Sequence, residues 1–131
     1  MLLLTNNPKV KEASEINIPI EFIDGSYLDV LEQVRRHLVD DRYHLITHPL
    51  SGSIKPNETV YKSIILLDET HEAISIENLD MIDHAIEVYH RFQSMRRTPN
   101  WTTRVLQDFA LIDYDLVTSA LNRINVPPSF L

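Results

Sequence analysis

Apolar residues follow two rhythms along this chain. Short, nearly continuous apolar runs occupy residues 2–5, 18–23, 43–47 and 63–67. Runs this short, rich in Leu and Ile and bounded by turn formers, read as strands. The Ile-Ile-Leu-Leu of the last run suggests burial on both faces. Between the runs the spacing becomes helical. Asn6-Asn7-Pro8 stops the first strand, with Asn7 placed to cap and Pro8 to open a helix that runs to about Ser14. Asp24-Gly25 ends the second. Ser26-Tyr27-Leu28-Asp29 then resembles a capping box with aspartate in place of glutamate. Behind it Tyr27, Val30, Leu31, Val34 and Leu38 share one face, which predicts a helix over residues 26–39.

The second half is helical. Leu79, Ile82, Ala85, Ile86, Tyr89 and Phe92 make an apolar stripe through residues 77–95, closed by Arg96 and Arg97 where cations suit the helix dipole. Thr98-Pro99-Asn100 breaks the chain, and Trp101 is expected to be partly buried in that hinge. Two shorter helices are expected near residues 103–111 and 113–124, with Pro127-Pro128 ending the fold. Residues 48–62 carry two prolines, a glycine and several polar residues, and read as a long loop. Strand, helix, strand, helix, strand is an α/β order. It predicts a Rossmann-like, mainly parallel sheet of about four strands flanked by helices, with a helical C-terminal half, in a single domain spanning residues 1–131.

Composition narrows the chemistry. The 131 residues include no cysteine, which excludes disulfides, thiolate metal sites and cysteine nucleophiles. The net charge of −7 argues against general nucleic-acid binding, which needs cations to displace phosphate counterions. The apolar start is short for a signal peptide, and no stretch has the length of a membrane span, so a cytoplasmic protein with no membrane partner is expected.

Ligands of open parallel α/β sheets sit outside the carboxyl ends of the strands. Three loops qualify, and they supply the candidate ligand-binding residues: Asn6 and Asn7; Asp24 and Ser26; and His48, Ser51, Gly52, Ser53 and Lys55. Both glycines of the chain, Gly25 and Gly52, fall in these loops. Gly25 reads as a turn residue. At Gly52, close ligand approach and a plain turn stand as alternatives, with Ser51, Ser53 and Lys55 supplying donors for an anion. His48 is the one histidine placed for acid–base work, and a structural role stands beside that reading as the favoured alternative. On the long helix, Asp80, His84 and Glu87, or Asp83, Glu87 and His90, have a spacing that suits a metal. They lie opposite the apolar stripe and read as a solvated face. Asp68-Glu69-Thr70-His71-Glu72 reads as an exposed acidic turn. No metal and no cofactor is expected, and no catalytic set emerges.

At these loops the sequence resembles the GrdX family, small proteins named for glycine reductase gene clusters. The resemblance lies in Thr5-Asn6-Asn7-Pro8, in Gly25 to Val30, and above all in Thr47 to Thr59, with Tyr61-Lys62-Ser63 and Asp113-Tyr114 adding to it. It implies an anaerobic bacterial setting and a link to reductive cleavage of glycine, sarcosine or betaine, and it brings no catalytic residues to map. That chemistry runs on thiols and selenols, so a chain without cysteine would be an accessory component.

Three functions follow as expectations. The first is a non-redox accessory protein binding a small anionic metabolite or nucleotide at the carboxyl edge of its sheet. The second is an interaction module docking on a reductase component through its helical half. The third is a non-redox enzyme using His48 or Asp24.

Overall fold

The computed structural model describes residues 1–50, 54–68 and 73–124. Along them lie β1 (Leu2–Thr5), α1 (Pro8–Lys11), β2 (Ile20–Phe22), α2 (Tyr27–Asp40), β3 (His44–Leu45), β4 (Ser63–Leu67), α3 (Ile76–Met95) and α4 (Thr103–Ile124). Local chemistry accounts for the helix starts. The Asn7 side chain accepts from the Lys9 amide, with Pro8 in the first turn of α1. The Ser26–Asp29 capping box is complete in both directions. Gly25 leaves room beside it: a Cβ there would press on the Asp29 side chain that completes the box. Ser75 caps α3, and Thr102 accepts from the Val105 amide at the start of α4.

The sheet order is β2-β1-β4-β3. Only β1 and β2 pair in parallel; β1 with β4 and β4 with β3 are antiparallel. The expectation of a mainly parallel, Rossmann-like sheet is therefore corrected to a mixed one. The reason lies between β3 and β4. A parallel neighbour needs a crossover that carries the chain back to the other end of the sheet. The described residues of that connection form turns and no helix. They stay at the edge where β3 ends, and β4 must enter from that edge and run the other way. The carboxyl ends of β1, β2 and β3 and the amino end of β4 consequently share one edge.

The sheet alternates its side chains between two helical layers. Leu4, Ile64 and Leu66 face α2 and α3, whose Val30, Leu31, Val34, Leu38, Ile82 and Ala85 complete that core. Leu3 and Ile65 face the other way, onto Val10 of α1 and Val117 and Leu121 of α4. The edge strand β3 is protected by α3, since Asn78 Oδ1 accepts from the Leu45 amide at 2.8 Å.

A second correction concerns the C-terminal half. The two short helices expected on either side of Ile112 are one continuous helix, α4. Asp113 does not start a helix. It continues the buried face of Val117 and Leu121 at intervals of four, and the body of the helix runs through it. Trp101 is half-buried as expected: its Nε1 donates to the Glu58 carbonyl at 2.7 Å and its ring lies 5.8 Å from that of Phe109.

Candidate functional site

At the shared edge, polar side chains from three elements meet below the surface. Thr5, the last residue of β1, and Ser63, the first of β4, are register partners with hydroxyls 2.7 Å apart. Asp113 reaches them from α4. Its Oδ1 accepts from the Ser63 amide at 3.1 Å, and its Oδ2 accepts from the Ser63 hydroxyl at 2.7 Å and from Asn7 Nδ2 at 2.9 Å. Burial pushes the Asp113 carboxyl above the usual carboxylate range, against the pull of those hydrogen bonds and of the Lys62 charge. Lys62, next to Ser63, is only 6% exposed. Burial lowers its ammonium to about 8, partly offset by Asp113.

Lys62, Ser63 and Asp113 of this cluster line a cleft of about 390 Å³ between the sheet edge and α4. Ile46, Thr47, His48 and Leu50 line it from the end of β3, and Leu116, Ala120, Arg123 and Ile124 from α4. Side chains able to carry positive charge thus stand on both walls, with one buried carboxyl between them.

The residues expected to bind ligand are spread over this edge. Asn6 and Asn7 are buried and spend their amides inside the protein. Asn6 Nδ2 donates to the Gly25 and Val60 carbonyls, and its Oδ1 accepts from the Lys62 amide. Asn7 Nδ2 donates to Asp113 and to the Ala110 carbonyl, while its Oδ1 holds the start of α1. Both position the cluster from behind. Asp24 is exposed, and Ser26 is engaged in its capping box while lining a separate cleft beside Tyr27 and Tyr89. His48 lines the Lys62 cleft, its Nδ1 accepting from the Leu50 amide at 3.0 Å. Lys55 is exposed and lines a third cleft with Trp101, Phe92 and Phe109. Ser51, Gly52 and Ser53 lie outside the described residues, as do residues 69–72 of the acidic turn. The latter half of the 48–62 segment is tied down: Asn57 Nδ2 donates to the Arg96 carbonyl, and Asn6 holds Val60 and Lys62.

Sequence reasoning placed neither Lys62 nor Asp113 in a site. A signal for each exists: a lysine separated by one residue from an unbroken Ile-Ile-Leu-Leu run, and a carboxylate in register with the apolar stripe of α4. Both fell in segments noted only for their resemblance to a family, Tyr61-Lys62-Ser63 and Asp113-Tyr114, and the fold brings those two segments together.

Among the described residues no three His, Asp or Glu side chains gather in a way that could hold a metal ion, and no helix is long and apolar enough to cross a membrane. Fold and site together define a mixed α/β protein with helices on both faces and a cleft, walled by a buried Lys–Asp pair, at the edge where three strands end. The chain belongs to the GrdX-like protein family, whose model matches residues 2–122. No curated protein and no solved structure matches it.

Proposed function

We propose that this protein is a non-redox accessory component of glycine, sarcosine or betaine reductase systems that binds a small anionic metabolite or nucleotide in the Lys62 cleft. One observation carries the binding reading: a nearly buried lysine forms the wall of an open cleft at the strand-end edge. Keeping a cation there is costly without compensation, and Asp113 supplies part of it. An anion entering beside Lys62 and Arg123 supplies more. The size of the cleft, about 390 Å³, suits a small metabolite. The link to reductase systems rests on family membership, and the lack of cysteine supports a role outside thiol chemistry.

The test is a thermal-shift series with inorganic phosphate, small carboxylates, phosphorylated metabolites and nucleotides, since a ligand of the native state stabilises by mass action. Stabilisation that disappears in Arg123→Ala supports the reading. Equal protection of the variant, or none of the wild type, overturns it.

A second reading has its own observation. Leu111, Ile112, Leu116 and Ile124 of α4 are exposed, an apolar surface that suits docking on a reductase component. Under this reading Leu111→Asp and Ile112→Asp, at residues outside the cleft lining, abolish co-elution with purified reductase subunits while leaving the anion response intact.

A further inference from the structure

Lysine is a strong nucleophile only as the free amine, and in water at neutral pH almost none of it is free. The four lysines of this chain sit in different settings. Lys9 and Lys11 are exposed, with their ammonium groups over the rings of Tyr114 and Phe22. Lys55 is exposed as well. Lys62 alone is buried, lines a cleft, and has a buried carboxyl acting on it. Such a setting holds both partners of carbonyl–amine chemistry, an amine that is readily freed and an acid that can hand a proton to a departing oxygen.

We propose that Lys62 is a nucleophile that forms a reversible imine with a small anionic carbonyl compound, such as an aldehyde acid or α-keto acid, held in the cleft between the sheet edge and α4. The inference rests on the anion-binding reading above and adds the reacting group of the ligand.

The step balances without any further reagent. The Lys62 ammonium passes a proton to the Asp113 carboxylate, and the Nζ lone pair so freed forms the C–N bond while the carbonyl π pair moves onto oxygen. The Asp113 carboxyl protonates that oxygen, and the carboxylate so formed takes a proton from nitrogen, giving the carbinolamine. Asp113 then protonates the hydroxyl, which leaves as water as the nitrogen lone pair closes the C=N bond, and the Asp113 carboxylate takes the remaining N–H proton from the iminium. Amine and carbonyl become imine and water, and nothing is oxidised or reduced. Ser63 keeps the Asp113 carboxyl in place through its amide and hydroxyl, and Asn7 holds the same carboxyl from the other side. Arg123 lines the outer wall, where it suits the carboxylate of the substrate. With the Lys62 ammonium lowered to about 8, roughly a quarter of it is free amine at pH 7.5, against about one part in a thousand for an exposed lysine.

The test treats the full chain at pH 7.5 with glyoxylate, the smallest aldehyde acid, and cyanoborohydride, which reduces an imine to a stable secondary amine. Peptide mass spectrometry then reads each lysine and the N-terminal amine separately. The expected result is modification of Lys62 about tenfold or more faster than of Lys9, Lys11 and Lys55. That excess is absent in Lys62→Arg, which keeps the charge and removes the nucleophile, and is reduced in Asp113→Asn. A neutral aldehyde, propionaldehyde, shows a smaller preference for Lys62. Even labelling of the exposed amines with Lys62 untouched overturns the inference. If glycolate, an anion without a carbonyl to attack, still stabilises the protein in that case, the binding reading stands and only the imine falls. If glycolate gives no stabilisation either, both fall.

Discussion

On the face of the sheet covered by α2 and α3, ten buried side chains form one apolar cluster that runs from Leu4 through Leu31 and Ile64 to Ala85. On the face covered by α1 and α4, five do so: Leu3, Val10, Ile65, Val117 and Leu121. The missing apolar volume on the second face is taken by Asp113, by the side chains it binds, and by the cleft beside them. The first face is held by shape and the loss of apolar surface to the core, which is tolerant of small adjustments and blind to pH. The second is held partly by a polar cluster whose members depend on one another, so that removing one leaves the others buried without partners. The difference shows how a small domain divides its interior: one layer is given to apolar packing, and the other gives up packing for a buried polar cluster and a cleft.

The sharpest way to break this comparison is Asp113→Ala. It removes the acceptor of Ser63 and Asn7 and takes away the carboxylate that acts on the Lys62 charge, so the expected loss is about 4 kcal/mol, large for a helix residue outside the apolar core. Urea unfolding measures it. A loss under about 1 kcal/mol would show that the cluster contributes nothing to the second face.

Leu31→Ala on the first face is expected to cost about 3 kcal/mol through lost burial and the cavity left behind. It should leave the anion response of the cleft unchanged, because the sheet lies between them. Loss of ligand-induced stabilisation in a variant that is still folded would mean that the two faces are coupled.

Titration separates the faces next. Lys62 has a folded-state pKa of about 8, below the unfolded value of 10.5. Between those values the unfolded chain binds more protons, so this group makes stability rise with pH. Relative to Lys62→Met, the wild type should gain about 2 kcal/mol from pH 8 to pH 10. Asp113 acts with the opposite slope. Its folded pKa is raised above 3.8, so the folded state holds the proton more tightly and stability falls as pH rises through that interval. Parallel pH profiles of wild type and Lys62→Met would show that the lysine is more hydrated than its burial implies.

The smallest effect is expected at the surface. Arg35 and Asp83 join α2 to α3 through a 2.7 Å ion pair in which both side chains are nearly half exposed. Arg35→Ala should cost about 0.5 kcal/mol or less, and less still in high salt. A loss several times larger would mean that the first face relies on charge as well as on packing.

What could be read from the sequence follows from interactions close along the chain. The Ser26–Asp29 capping box, the Asn7–Pro8 helix start and the face of Tyr27, Val30, Leu31, Val34 and Leu38 each need only neighbours within a turn or two, and all stand where the pattern places them. So does the double-sided burial of β4, which its unbroken apolar run dictates. The shared edge of the loops after the first three strands was also legible, since those strands run in one direction. The direction of β4 was not. It depends on whether residues 48–62 cross the sheet, and that is decided by tertiary ties such as those of Asn57 to Arg96 and of Asn6 to Val60. The role of Asp113 was hidden for a related reason. A carboxylate after Leu111-Ile112 looks like a helix start, because in isolation a helix exposes its polar groups, and only partners more than fifty residues away in Asn7 and fifty away in Ser63 make its burial affordable. The sequence by itself determined the elements and their apolar faces, because local hydrogen bonds and periodicity are written in neighbouring residues. Only the tertiary structure decided which polar residues gather beside the cleft, because the energy of a buried charge is set by the partners that the fold brings to it.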